Sequence, residues 1–455
     1  MAATLGFYGG VGSVTGANFM LDTGRLAVLV DCGLIQGDRF AEAKNAEPFV
    51  YDPAAVDVLL VTHAHADHIG RIPKLVRDGF RGRIYSTPPT RALAAIMFDD
   101  ALQIMRYEAE RDGREPLYAQ ADIDQALAQW ETKPYEATWE LGDGVVAQFL
   151  NAGHILGSAM VELTRGARSI VFTGDVGNVP QPLMAAPTVP TGYDYLVMES
   201  VYGDRVHEEV AERTALLTKH IQDTIDRSGT LIIPAFSLER TQGILYAINN
   251  LVEAGTIPPI KTFLDSPLAI RVTDVYRHAT AYLKPTIQEQ IVAGDDIFAF
   301  EGLSFTETVQ ESKAIATFDN PKIIIAGSGM SHGGRIREHE KRLLGDTNTT
   351  LLLVGYQTVG SVGRVLQDGA KEVRIDGVPV RVRARIETIR GFSGHADRNQ
   401  LMELVYHGTR AHQPERIFVT MGEERASLFL AQRLHDYLDL PARVPGEQDE
   451  VAIDF

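Results

Sequence analysis

The hexapeptide His63-Ala64-His65-Ala66-Asp67-His68 constrains this chain more than any other stretch. It sets three imidazoles and a carboxylate directly behind Val58-Leu59-Leu60-Val61, an apolar run that reads as a buried strand. Residues i and i+2 of an extended chain point to the same side, so His63 and His65 can face one metal ion together. Asp67 and His68 come after the strand end, where a turn can present them to a second ion beside the first. Imidazole suits zinc, and a carboxylate can complete or bridge such a site. The competing reading is a surface loop that happens to be rich in histidine. The position immediately after an apolar strand argues against it.

Two ions need further ligands, and other strand ends supply candidates. Asn151-Ala152-Gly153-His154 precedes a strand at Ala159-Met160-Val161-Glu162-Leu163. Ser169-Ile170-Val171-Phe172-Thr173-Gly174-Asp175 is a β-branched run ending in a carboxylate, and Asp31 closes another apolar strand. In this order, Asp31, the His-x-His-x-Asp-His motif, His154 and Asp175 resemble the metallo-β-lactamase fold.

At 455 residues the chain exceeds one small core. Length alone gives a soft prior of about three domains, which the resemblance reduces to two. Hydrophobic content of 45% and charged content of 23% are those of an ordinary globular protein. The single cysteine, Cys32, excludes an intramolecular disulfide and fits a reducing compartment. The first residues lack the basic and apolar regions of a signal peptide, and no apolar run approaches the roughly 18 residues of a membrane span. A cytoplasmic, soluble protein without a membrane partner is therefore expected. A net charge of −17 argues against nonspecific nucleic-acid binding over the whole surface, but allows a local basic groove.

Along the chain, Gly9-Gly10-Val11-Gly12-Ser13-Val14-Thr15-Gly16 reads as a turn between strands, because no correctly phased helix follows it. Residues 34–50 read as a polar connection. Residues 90–111 have helical periodicity, with Leu93, Ile96, Met97, Ala101, Ile104 and Met105 on one stripe. Residues 122–130 and about 208–227 predict further helices. Tyr195-Leu196-Val197-Met198-Glu199 is a strand ending in a carboxylate. From Thr230 onward strand and helix alternate, which argues for parallel βαβ units.

Several later stretches together resemble the β-CASP subgroup, the nucleic-acid-processing branch of the fold. They are Glu199-Ser200-Val201-Tyr202-Gly203, Pro234-Ala235-Phe236-Ser237, Asp265-Ser266-Pro267, Gly327-Ser328-Gly329-Met330, Gly355-Tyr356-Gln357 with Gly360 and Gly363-Arg364, and Gly391-Phe392-Ser393-Gly394-His395. The resemblance is strongest to bacterial and archaeal relatives of the nuclease subunit of the eukaryotic mRNA 3′-end cleavage factor. Ribonuclease J is a more distant likeness. It implies an α/β architecture: a metallo-β-lactamase αββα sandwich with an inserted parallel α/β (β-CASP) domain. The expected division is 1–207, then 208–380 as the insertion, then 381–455 returning to the first domain.

The activity implied is a metal-dependent endoribonuclease, with 5′-exonuclease activity in some members, acting on single-stranded RNA through two Zn²⁺ ions. By position, His63, His65 and His154 would hold the first ion. Asp67 and His68 would hold the second, and Asp175 would bridge. Asp31 would orient a ligand histidine through its other ring nitrogen. A hydroxide activated by the ions would attack phosphorus, leaving a 5′-phosphate and a 3′-hydroxyl. Asp67, Glu199 and His395 would carry the catalytic work, with His395 as general acid and Glu199 holding its tautomer. The chain departs from the family at its third motif. A His-Gly-Glu triplet normally follows the strand at Ile417-Phe418-Val419-Thr420, and here Met421-Gly422-Glu423 stands there. A thioether is a poor ligand for zinc in such a site, so a weakened second ion, or one replaced by Mn²⁺, is expected.

Backbone amides at Ser393, Gly394 and Ala396, and at Ser328 and Gly329 before another helix, are candidates to cradle substrate phosphates. For the second loop a plain strand-to-helix turn is an equal reading. His332 is expected to face solvent. Arg381, Arg383 and Arg385 alternate with Val380, Val382, Ala384 and Ile386, which puts the arginines on one face of a strand. RNA contact and a charge-protected edge strand explain them equally well. A DNA nuclease, a thioester or lactam hydrolase of the same fold, and an inactive RNA-binding scaffold remain alternatives, and a homodimer is one open assembly state.

Overall fold

A computed structural model describes residues 2–37, 40–207, 210–355, 357–358, 360–389 and 393–455. Tyr356, Gly391 and Phe392 of the motifs above lie outside the described residues. The chain forms two compact units, Met1–Val206 with His395–Phe455, and His207–Gly394.

The first unit is built on two seven-stranded sheets. One runs Glu450–Asp454, Ala2–Gly9, Asn18–Asp22, Ala27–Val30, Val58–Leu60, Arg83–Ser86, Trp130–Thr132. The other runs Ala442–Arg443, Arg416–Val419, Tyr195–Met198, Arg168–Phe172, Ala159–Arg165, Val145–Asn151, Thr138–Gly142. Strand alternation sorts their side chains. Val28, Val30, Val58 and Leu60 join Phe7, Phe19, Phe149, Phe172 and Phe418 in the core shared by both sheets. Met160, Val171, Leu196 and Val419 face the other way and pack with Leu401, Leu404, Leu430 and Leu434 of helices Arg398–Gly408 and Glu424–Leu438. The αββα layering expected from sequence is what forms. No helix among the described residues is long and apolar enough to cross a membrane.

The second unit holds a six-stranded sheet ordered Leu303–Phe305, Lys261–Asp265, Lys322–Ala326, Thr230–Pro234, Thr349–Val354, Arg385–Ile389. Every pairing in it is parallel. Thr230–Pro234 and Lys322–Ala326 are buried at every residue, the continuous apolar pattern of a sheet covered on both faces.

Several local expectations need correction. Helix Pro88–Asp112, opened by Thr87 as N-cap and closed at left-handed Gly113, buries Leu93, Ala94, Phe98, Leu102 and Ala109. The expected stripe was rotated, since Ile104 is 52% exposed. Within the buried set Ala94, Phe98 and Leu102 step by four residues, and Phe98 rather than the methionines is its anchor. The next helix is Gln120–Ala128, and Trp130 opens a strand instead of closing that helix. The polar connection contains a short helix, Ala41–Ala46. Residues 381–394, expected to return to the first domain, stay with the second unit, because Arg385–Ile389 pairs with Thr349–Val354. The arginine-rich run is also two strands. Val378–Arg381 ends where Val382 N–H donates to Lys371 O, and Arg383 and Ala384 donate to Leu344 O. Arg381, Arg383 and Arg385 are exposed, while Val380, Val382 and Ala384 are buried and Ile386 is half-buried.

Two buried carboxyls of the second unit behave oppositely. Burial works against the charge of Asp265, but hydrogen bonds from His339, Ser312, Arg335 and Thr306 hold it down at about 2. Glu340 accepts only from Ser331 Oγ, at 2.5 Å, its Oε2 has no partner among the described residues, and burial pushes it up to about 7. A raised carboxyl stabilises the fold least once it must ionise, so stability falls as pH rises from about 4.5 through 7. Glu340→Gln should therefore gain on wild type between pH 5 and pH 8, by an amount of order 1–3 kcal/mol. Denaturant melts across that range check this, and parallel curves for the two proteins would refute it.

Candidate metal centre

The centre lies in the first unit, where five strand ends converge. Residues 61–65 leave strand Val58–Leu60 extended and enter the short helix Ala66–Ile69. Segment 31–34 pins this loop through its backbone: Cys32 N–H donates to His68 O and Leu34 N–H to Ala66 O. The approach is so close that a Cβ on Gly33 would lie 1.5 Å from Asp67 O, which only glycine permits. His154 follows Val145–Asn151 in a turn whose His154 and Ile155 amides donate to Ser158 Oγ. Asp175 and Glu199 follow the parallel strands Arg168–Phe172 and Tyr195–Met198. His395 reaches the centre through a bridge with Gly177.

Donor atoms of His63, His65, His154 and Asp175 all lie within 4.8 Å of one another. His65 Nδ1 is 3.1 Å from His63 Nε2 and 3.2 Å from His154 Nε2. His63 Nε2 and His154 Nε2 stand 3.3 and 3.5 Å from Asp175 Oδ2. His68 Nε2 meets the other oxygen, Oδ1, at 3.3 Å, and Asp67 Oδ2 at 4.0 Å. Asp67 stays outside the tight group. Asp31 Oδ2 sits 2.7 Å from His68 Nδ1.

Burial, with the neighbouring imidazoles, pushes His63 down and His65 and His154 well down, so all three are neutral, the form that binds metal. His68 goes the other way: burial opposes its charge, but Asp175 and Asp31 raise it strongly. Burial also opposes ionisation of Asp175, yet His68, His395 and His63 hold it well below the usual carboxylate range. Burial raises Asp67. His68 Nε2 and Asp175 Oδ1 are buried without a hydrogen-bond partner among the described residues. Orphaned polar atoms facing each other, within a three-imidazole and carboxylate set, are what a divalent ion would satisfy. The cluster is thus able to bind metal.

Beside it, Asp175, Glu199 and His395 form a second close group. His395 Nδ1 lies 3.2 Å from Glu199 Oε1 and 3.8 Å from Asp175 Oδ2. Burial opposes its protonation, but Glu199 and Asp175 raise the ring to about 9. Glu199 is fixed by the amides of Val176 and Val201.

Thr62 escaped the sequence reading. Its amide and hydroxyl both donate to Asp31, at 2.8 and 2.7 Å, and the hydroxyl is 3.0 Å from His63 Nδ1. Its one signal is a hydroxyl residue placed between the apolar run and the first histidine. Gly174, left-handed at φ 52, makes room for it, since a Cβ there would meet Thr62 Cβ at 2.7 Å.

The phosphate-cradle candidates fare less well. The Ala396 amide donates to Val176 O at 2.7 Å and is not available to a phosphate. Ser393 and Gly394 are buried. Ser328 and Gly329 belong to the second unit, where Ser328 Oγ already accepts from the amides of His332 and Gly333 and Phe236 covers Gly329. His332 is exposed, as expected. Met421 is buried in the inter-sheet core at φ 44 and packs on Gly10, whose Cβ, if present, would lie 2.4 Å from its sulfur. It lines, with His68, Thr62 and Glu199, an enclosed cavity of about 10 Å³.

Comparison with known proteins agrees with this geometry. Residues 20–181 match the metallo-beta-lactamase superfamily domain, residues 241–366 the Beta-Casp domain, and residues 379–445 the Zn-dependent metallo-hydrolase RNA specificity domain. Ribonuclease TTHA0252 of Thermus thermophilus is 36% identical over 427 residues, 94% of this chain and 95% of its own. An RNase J-like protein of Methanocaldococcus jannaschii is 32% identical, with 97% of each chain covered. Transcription termination factor FttA of Methanosarcina mazei is 31% identical over 96% of this chain and 69% of its own. A protein of unknown function from Enterococcus faecalis, 10% identical, shares the fold with a TM-score of 0.57 over the whole of both chains. The chain therefore belongs to the β-CASP branch of the metallo-β-lactamase superfamily of metallo-hydrolases.

Proposed function

We propose that this protein is a zinc-dependent ribonuclease that hydrolyses phosphodiester bonds of single-stranded RNA with two metal ions, leaving 5′-phosphate and 3′-hydroxyl ends. In this reading cleavage is endonucleolytic, with 5′-exonuclease activity alongside it. The observation that carries this reading is the convergence of His63, His154 and His68 on the two oxygens of Asp175, at 3.3–3.5 Å. The RNA preference is supported by the match to an RNA specificity domain and by relatives named as ribonucleases. A cytoplasmic setting fits the single cysteine, Cys32, which is buried.

In this reading His63, His65 and His154 would hold one ion and Asp67 and His68 the other, with Asp175 as a ligand between the two sets. When bound, the ions supply an acidified water and offset the negative charge gathering on phosphate. Asp31 accepts from His68 Nδ1 and so turns the Nε2 lone pair toward Asp175. His395 is the general acid. Glu199 holds its Nδ1 proton, the raised ring stays protonated near neutral pH, and Nε2 passes a proton to the leaving 3′ oxygen.

The purified protein should contain zinc and cut end-labelled single-stranded RNA in preference to duplex or DNA, giving 5′-phosphate ends. His65→Ala should lose both zinc and cleavage. Unchanged zinc in that variant sinks the ligand assignment, and 2′,3′-cyclic phosphate ends would instead mean attack by the RNA's own hydroxyl.

His395→Ala should lower turnover by about 10²–10⁴-fold while zinc content and RNA binding hold. Because His395 also sits in a close group with Asp175 and Glu199, metal loss in this variant would reassign it as a ligand.

Met421→His should tighten the second metal. His68 and Met421 line the same small cavity, and histidine tolerates the left-handed backbone at this position better than most residues. Wild type should show substoichiometric second-site zinc or stimulation by added zinc or manganese. Equal metal titration curves for both proteins would show that position 421 does not limit the site.

A further inference from the structure

The second unit has a ligand-binding topology of its own. The chain enters its sheet centrally at Thr230–Pro234, builds toward the Leu303–Phe305 edge, then crosses to Thr349–Val354 and on to Arg385–Ile389. The connections leaving the adjacent strands Thr230–Pro234 and Thr349–Val354 therefore run in opposite directions. In open parallel sheets such a reversal leaves a crevice beyond the carboxyl ends of the strands, where ligands bind.

Arg240 stands at this point. It is the first residue of helix Arg240–Glu253, just beyond strand Thr230–Pro234. Its guanidinium lies against Gly355, the residue that follows Thr349–Val354. A Cβ on Gly355 would be in ordinary van der Waals contact with it, 3.7 Å from both Cζ and Nη1 and 3.9 Å from Nη2. Arg240 is only 8% exposed, yet Nε and Nη1 have no hydrogen-bond partner among the described residues. Glu239 Oε2, at 3.6 Å from Nε, is an ion-pair contact beyond hydrogen-bond range.

A guanidinium cannot shed its proton to escape burial, so these unfilled donors are a standing cost of the fold. Arg213, also buried, is lowered by burial and further by Arg240, with Glu239 opposing. An oxyanion answers the empty fork of a group that stays charged.

We infer that Arg240 anchors a phosphate-binding site at the strand-reversal point of the second unit. As an RNA contact the inference rests on the proposed ribonuclease reading, whereas as an oxyanion site it stands without it. The phosphate group can come from an RNA backbone or from free inorganic phosphate.

The test uses the full chain carrying His65→Ala and stripped of metal with chelator, so that phosphate cannot bind at the metal centre. Calorimetric titration with inorganic phosphate, and fluorescence titration with a short unphosphorylated single-stranded RNA, are run with Arg240 intact, as Arg240→Gln and as Arg240→Lys. Arg240→Gln should weaken phosphate binding by about tenfold or more, with Arg240→Lys in between because it keeps the charge and loses the fork. In phosphate-free buffer Arg240→Gln should melt no lower than its parent, since it removes an unsatisfied charge. A parallel loss of RNA affinity identifies the RNA backbone as the source, and loss of the phosphate response alone identifies free phosphate. The inference is overturned if phosphate binds all three proteins equally or none of them, or if Arg240→Gln melts clearly lower without phosphate, which is the mark of a purely structural arginine. Failure here with intact zinc-dependent cleavage by the wild type would leave the ribonuclease reading untouched.

Discussion

The centre depends on the burial of one carboxylate, Asp175, beneath four imidazoles. His63, His68, His154 and His395 all approach it within 3.3–3.8 Å, and the residue is 2% exposed. A lone buried carboxylate is costly. Here positive neighbours hold it ionised, and it in turn raises His68 and His395. The histidines around it thus fall into two classes, the lowered His63 and His154 and the raised His68 and His395.

Such convergence demands close backbone approach. Gly33 allows the 31–34 segment to press on the metal loop, and Gly174 admits Thr62 beneath Asp175. Thr62 then ties Asp31 to His63, so two strand ends are coupled through one hydroxyl. Aromatic packing between the sheets, from Phe7, Phe19, Phe149, Phe172 and Phe418, provides the rigid floor on which these loops rest. Met421 is part of that floor, a thioether packed in the inter-sheet core.

The second unit follows a different rule. Its parallel sheet is buried along whole strands, so side-chain specificity is confined to the loops at the carboxyl ends of those strands. Asp265 spends its charge there on a saturated network, whereas Arg240 leaves donors unfilled. The two buried charges are alike in burial and opposite in satisfaction, which is why one reads as structural and the other as a binding group.

Much of the molecule was legible in the sequence because its signals are local. The period-two spacing of His63 and His65, the apolar run before them, and the strand-end positions of Asp31, His154, Asp175 and Glu199 need only neighbours in the chain to be read. The βαβ alternation after Thr230 is equally local, and it did predict a parallel sheet. Three-dimensional packing settled the rest. The phase of helix Pro88–Asp112 was set by which stripe met its neighbours, so Phe98 went in and Ile104 out. Residues 381–394 joined the second unit through pairing with a strand more than thirty positions earlier, beyond the reach of periodicity. The Ala396 amide was taken by Val176 O, a partner 220 residues away that no motif encodes. Sequence determined which residues carry chemistry, because side-chain type and spacing are written in it. Only the tertiary structure decided which of them stand within a few ångströms of one another and which are buried with unfilled hydrogen bonds, because burial and distance arise when strands remote in the chain are brought side by side.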